Sequence, residues 1–276
     1  MREAPRFLLK RRRNLPRDNR IGWALVTLAL WTAITFGGAE LFVSDDQSLD
    51  AFVTRGILWQ IVCAGMMLVA VIAWRGWNDL GFRAPIPGTL KLLWLPILLV
   101  ALQFTFALLL GLPDSATILL IFVNTLFVGF SEETMFRGVL YRALCERLRI
   151  WPAILVTSSV FGAVHVLNGF ITGEFESAIY QAIMAGSTGL LLMAIVLRTG
   201  SLWAAIAWHA AWDAALLLIA EGMPDPDASN GSELANSGGW TTILIPLALV
   251  LPNLLYALWL LRHVHHVPAP ANAKAE

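Results

Sequence analysis

The sequence predicts an all-α, polytopic membrane protein with about eight transmembrane helices and both termini in the cytoplasm. Three observations predict it. The 276 residues are 58% hydrophobic, the mean hydropathy is +0.69, and only 14% of residues are charged, against about 25% in an average soluble domain. Long apolar stretches recur along the whole chain, and ~20 such residues cross the bilayer hydrocarbon as a helix. Lys and Arg fall almost wholly on one side of those stretches, as the positive-inside rule requires.

The apolar stretches give spans at 21–43, 56–74, 91–111, 116–140, 151–169, 177–197, 201–220 and 240–261. Polar or Gly/Pro-bearing segments separate them, the longest and most acidic being 221–239, where Pro224 and Pro226 disfavour regular structure. The first span is too long for a signal peptide and ends in no small-residue cleavage site. With the N-terminus inside, 17 of the 19 Lys and Arg lie on the cytoplasmic side. Arg55 falls outside and Arg137 within a span. Three parts follow: a basic cytoplasmic arm over 1–20, a membrane domain over 21–262 with its core at about 116–220, and a loose tail over 263–276. The arm suits an anionic lipid surface. His263, His265 and His266 read as part of an interfacial basic tail.

Several partners are set aside at this point. The net charge is zero and no basic face carries interleaved aromatics, so no nucleic-acid partner is expected. Cys63 and Cys145 have neither a disulfide framework nor a metal-type spacing. No inverted repeat or pair of Gly/Pro-broken helices suggests a proton-coupled transporter.

An ionisable residue inside a span is a functional candidate by default. Glu40 lies near the outer end of span 1 and reads as an interface residue. The other six form a pattern. Span 4 carries Glu132, Glu133 and Arg137, span 5 carries His165, and span 7 carries His209 and Asp213. Glu133 and Arg137 are four apart with the acid first, the better order for a helical ion pair. Phe161 and His165 share a helix face by the same spacing, as do His209 and Asp213. Glu132 lies about 100° round the helix from Glu133, so the two acids need not share a role. At ~1.5 Å per residue, Glu132 and His165 each lie roughly 22 Å from the cytoplasmic ends of their helices. His209 and Asp213 lie roughly 13 and 19 Å along theirs. The four can meet in the cytoplasmic half to the middle of the membrane. Ser131 is expected to bond within its own helix, and 185–189 (Ala-Gly-Ser-Thr-Gly) to form a small-residue face for close packing.

One carboxylate with two imidazoles can activate water. A glutamate in a low-dielectric site becomes a useful base, one His can share the water's proton, and a second can donate to a forming oxyanion. Glu133 and Arg137 would neutralise each other and leave Glu132 as the working acid.

These residues resemble the CAAX protease and bacteriocin-processing (Abi) family of intramembrane glutamate endopeptidases, whose motifs are EExxxR, FxxxH and HxxxN/D. Here they stand as Glu132-Glu133-Thr-Met-Phe-Arg137, Phe161-Gly-Ala-Val-His165 and His209-Ala-Ala-Trp-Asp213. The resemblance covers about residues 116–220. It implies a membrane-embedded endopeptidase, like the type II CAAX prenyl endopeptidases, in which Glu132 and His165 activate water and His209 with Asp213 forms the oxyanion site. Glu133, Arg137 and Phe161 would shape the pocket. Asp213 departs from the Asn form of the last motif. It donates a hydrogen bond only when protonated, or it orients His209 instead. No cofactor is expected, with water as the nucleophile, and a metal requirement stays open, although no His-Glu-x-x-His helix is present. The expected substrates are membrane-associated peptides or lipidated proteins, prenylated ones among them, reached from the cytoplasmic half of a prokaryotic cell membrane. The alternative is a non-catalytic scaffold or bacteriocin-immunity protein of the same fold.

Overall fold

The computed structural model describes residues 19–39, 53–54, 56–223 and 241–264. The basic arm, Glu40, Arg55, most of the 221–239 loop, His265, His266 and the tail beyond them lie outside the described residues. Among those described, the chain is helical and contains no strand. Eight long helices occupy the eight expected segments: α1 (Arg20–Gly37), α2 (Trp59–Arg75), α3 (Leu90–Leu110), α4 (Ser115–Leu144), α5 (Ile150–Thr172), α6 (Phe175–Thr199), α7 (Leu202–Gly222) and α8 (Thr241–Leu261). Six of them, α1 and α3 to α7, are long and apolar enough to cross a membrane, and α2 is apolar but shorter, at 17 residues.

The helices begin and end where local chemistry dictates. The Asp114 carboxylate accepts from the backbone N–H groups of Ala116 and Thr117 and so caps α4. Ser201 caps α7. Gly200, at φ +69°, lets α6 stop and α7 start within two residues.

The N-terminal half of α4, and α5 on its outer side, present exposed Leu, Val and Phe, as lipid-facing surface should. The reverse holds for the second half of α6, where Leu191 to Val196 are all fully buried. An all-round apolar helix of that kind belongs in the middle of a bundle. There α6 packs between α5 and α8, while α7 packs against α4 and α3.

The α5–α6 seam closes through small residues, as the 185–189 run predicts. Gly162 faces Gly186, and a methyl group at Gly162 would sit 2.5 Å from the Ala182 carbonyl oxygen and 3.0 Å from Gly186 Cα. At Gly186 the same group would find only ordinary contacts, the nearest at 3.5 Å. We therefore expect Gly162→Ala to lower stability by about 1–3 kcal/mol, as overpacking does, and to reduce turnover because His165 lies three residues on. Gly186→Ala should be close to neutral. Thermal melting of the two variants side by side checks this; equal losses would contradict it.

Segments that the charge pattern assigns to one side gather at one end of the bundle. Arg20, at the start of α1, binds Asp79 through two nitrogens at 2.8 Å each. Burial pushes the Asp79 carboxyl up, and Arg20 outweighs it and holds the group below its ordinary value. The loop before α3 is sewn to the α6–α7 turn by Ile86 N–H to Thr199 O (2.9 Å), Leu202 N–H to Gly81 O (2.8 Å) and Arg83 Nε to Gly200 O (2.7 Å). Arg198 donates to the Leu260 carbonyl near the end of α8. At the opposite end, Asn124 of α4 holds the approach to α2, donating to the carbonyls of Val53 and Gly56 at 2.7 Å each and accepting from Leu58 N–H.

Of the three helices that carry the ionisable residues, two depart from the regular geometry that the spacing arguments assume. In α4, a π-helical turn runs from Thr134 to Leu140, directly after Glu133. Such a turn holds an extra residue and shifts everything beyond it round the axis. In α5, the α-helix ends at Val164 and a 3-10 turn takes over from His165 to Leu167. Both irregularities sit at the ionisable residues.

Candidate active site

Three helices carry the polar cluster, and Glu133 is its hub. Its side chain is fully buried, and Oε1 accepts from Arg137 Nη1 and lies against His209 Nδ1, both at 2.8 Å. The expected pair that neutralises itself is therefore a triad, and Glu133 holds His209 as well as Arg137. Arg137 is also fully buried. It donates through Nη2 to the Gly189 carbonyl of α6 at 3.2 Å and stacks its guanidinium 4.1 Å from the centre of the Phe161 ring. Gly189 leaves the room for this: a methyl group there would stand 3.2 Å from both Arg137 Nη2 and the Phe161 ring.

The hydrogen bonds fix which imidazole nitrogens remain free to act. His209 Nδ1 faces a carboxylate, so Nδ1 carries the proton and donates. His209 Nε2 then faces Asp213 Oδ2 at 3.3 Å and Glu132 Oε2 at 3.7 Å. His165 Nδ1 lies 2.7 Å from the Phe161 carbonyl oxygen, which can only accept. Nδ1 of His165 is thus the donor, and in the neutral ring Nε2 keeps its lone pair. Both rings are held by Nδ1 and offer Nε2.

Glu132 differs from its neighbour. Its side chain is 12% exposed, Oε2 is buried, and no hydrogen bond satisfies that oxygen. His165, His209 and Asp213 all lie within its electrostatic reach. A buried carboxylate oxygen without a donor is costly. Glu133 Oε2 is another, but Glu133 is held through Oε1 by Arg137 and His209, so Glu132 is the one of the two adjacent glutamates whose carboxylate no hydrogen bond holds. Asp213, at 31%, is the most open of the cluster's paired acids. It meets His209 on Nε2. The orienting partner on Nδ1 is Glu133, so the Asp213 option of holding the ring from behind is filled by a different carboxylate.

Aromatic rings wall the cluster from α1 inward. Trp31 packs edge-on to Phe136 (5.4 Å between centroids) and Phe136 edge-on to Phe161 (5.1 Å). Phe161 then contacts both His165 (5.0 Å) and His209 (6.0 Å). Trp31 Nε1 donates to Ser131 Oγ at 2.8 Å, so the Ser131 hydroxyl ties α4 to α1 rather than staying within its own helix. That demand comes from the indole, which needs a partner once buried.

All seven residues singled out by spacing belong to this assembly. Three contributors were not: Trp31, Gly189 and the second bond of Glu133. Trp31 had a signal, since a tryptophan eleven residues into a span is far from the interface such rings prefer and must find an acceptor. The backbone carbonyl of Gly189 had none. Among the described residues, no group of three His, Cys, Asp or Glu side chains is arranged to hold a metal ion.

An apolar helical bundle with a buried acid–imidazole–guanidinium cluster defines a class: an integral membrane protein with a cluster of ionisable side chains inside it. Residues 113–215 match the family described as type II CAAX prenyl endopeptidase Rce1-like. The matched segment contains all three motifs and runs from the Asp114 cap of α4 to the middle of α7, and the family is one of proteases. A comparison with curated proteins finds no match.

Proposed function

We propose that the chain is a glutamate-type intramembrane endopeptidase that hydrolyses a peptide bond in membrane-associated substrates, prenylated proteins or peptides among them. The observation that carries this reading is the unsatisfied carboxylate of Glu132 beside two imidazoles whose Nδ1 atoms are already engaged. A water between Glu132 and His165 Nε2 gives up its proton to Glu132 as its oxygen attacks the scissile carbonyl. The carbonyl oxygen becomes an oxyanion. His209 lies on the other side, and because Nδ1 already donates to Glu133, a proton on Nε2 makes the ring an imidazolium that can take the negative charge. Asp213 borders the same nitrogen and shares the oxyanion site. Glu132 then passes its proton to the leaving amine, and the base is regenerated.

The basic end of the bundle is the cytoplasmic end in this reading, by the positive-inside rule, and substrates come from that side of a prokaryotic cell membrane. The test is cleavage of a fluorogenic farnesylated CAAX peptide by the purified protein, with Glu132→Ala and His209→Ala in parallel, each with and without a chelator. Cleavage by the parent protein alone, unaffected by the chelator, is the expected result. Loss on chelation and recovery with added metal would make the protein a metalloenzyme. A silent parent protein would reject this substrate, and silence across membrane-anchored peptides would leave a non-catalytic scaffold.

A further inference from the structure

At the basic end of the bundle, outside the catalytic cluster, sits a second buried guanidinium whose hydrogen bonds are missing. Arg142 lies two residues before the end of α4 and is 7% exposed, yet its Nε and Nη2 have no partner. Acceptors close by are engaged. Both oxygens of Asp79 bind Arg20. The Gly81 carbonyl, next to the spot where Arg142 Nη2 points, takes the N–H groups of Leu202 and Arg83. Glu146 leans on Arg20 at 3.6 Å. Arg20 Nε is itself buried without a partner. Arg142 lies within electrostatic reach of Arg20, Arg83 and Asp79. Three guanidinium groups therefore gather round Asp79 and Glu146, and three donors, Arg20 Nε and Arg142 Nε and Nη2, are idle.

The rim of this cluster is open, since the Asp79 and Glu146 side chains are 58% and 46% exposed. Beside Gly81, the rings of Phe82 and Trp203 pack 5.3 Å apart on the outer surface, 37% and 47% exposed. Charge at the end of an apolar bundle with aromatic surface beside it matches an amphiphile whose head is anionic. Guanidinium forks suit the oxygens of a phosphate, and the arm that precedes Arg20 carries a run of Lys and Arg that favours an anionic leaflet.

We propose that Arg142, with Arg20 beside it, forms a seat for a phosphate-bearing anion supplied by the headgroup of an acidic phospholipid. The site is separate from the catalytic cluster and does not depend on the proposed reaction. Native mass spectrometry and thermal melting of the full chain test it, with phosphatidylglycerol, phosphatidylcholine and inorganic phosphate as the three probes. The parent protein should retain phosphatidylglycerol selectively and melt higher with it. Arg142→Gln should lose at least about tenfold in that affinity, the weight of a charge-assisted pair, while Arg147→Gln, on the exposed surface of the same end, should lose little. Arg142→Lys keeps the charge without the fork, so it covers the case in which the Gln variant does not fold, and it should fall between. Equal stabilisation by inorganic phosphate, also lost in the Arg142 variants, would keep the seat and assign it to a soluble anion. Equal retention of the two lipids, or Arg142 variants that bind as the parent does, would overturn the proposal.

Discussion

Glu132→Gln is expected to reduce turnover by about 10³-fold, in the range typical of losing a general base, while the protein folds and melts as the parent does. The two halves of that expectation have separate causes. Gln keeps the shape of Glu132 but cannot accept a proton from water, so under the proposed mechanism the attacking oxygen is no longer made nucleophilic. Stability is spared because Glu132 holds nothing in place: its buried Oε2 has no hydrogen-bond donor, and its approach to His209 is 3.7 Å. Removing one of three carboxylates around a single imidazole also relieves repulsion, so a slightly higher melting temperature would be consistent. His165→Ala adds a sharper check. If Glu132 and His165 act on one water, the double variant should be no slower than the slower single variant, because groups that work as a unit are non-additive. Multiplying losses would mean that they act at separate steps. A Glu132→Gln protein that turns over within about tenfold of the parent would remove Glu132 from the role of base altogether.

The cluster was legible in the sequence because a charge in an apolar span is rare, and six of them fell at helical spacings on three spans. Which acid does what was not legible. Glu132 and Glu133 are neighbours in sequence with the same chemistry, and only packing separates them. Glu133 is turned into the bundle, where Arg137 and His209 both reach Oε1, and Glu132 is turned to the less crowded side. Spacing also assumed unbroken α-helices. The π-helical turn after Glu133 begins at Thr134 and the 3-10 turn at His165, with no Gly or Pro at either start, and such turns often fall at functional sites, so nothing at either start announced them. The eight apolar segments were visible by length and hydropathy, and α2, with 17 helical residues, is at the short end of what spans the hydrocarbon. The gathering of basic segments at one end followed from counting Lys and Arg, since the loops that carry them are sewn together by the backbone bonds of residues 81–86 and 199–202.

Arg137→Met should have the largest effect on the amount of folded protein, a loss of about 3–5 kcal/mol, the usual result of breaking a buried ion pair from one side. The parent pair is wholly enclosed, with both side chains at 0% exposure. Once the guanidinium is gone, the Glu133 carboxylate keeps His209 Nδ1 but loses its 2.8 Å charged partner, and its Oε2 already lacks one. The link from α4 to the Gly189 carbonyl of α6 and the stacking on Phe161 disappear with it. Arg137→Lys should recover only part of this, because a single ammonium cannot form the fork that reaches Glu133 and Gly189 at once. The informative comparison is Glu133→Gln combined with Arg137→Met. The amide oxygen of Gln can still accept from His209, and no unpaired charge is left at residue 133, so the double variant should be more stable than Arg137→Met alone by about 1–3 kcal/mol, the cost of an unsatisfied buried group. Expression yield and melting temperature of the four proteins decide it. If Arg137→Met melts with the parent, the guanidinium is dispensable to the fold and its place is in the pocket alone. If the double variant is no better than the single one, the loss comes from the missing tie to α6, and the unpaired charge on Glu133 is not its cause.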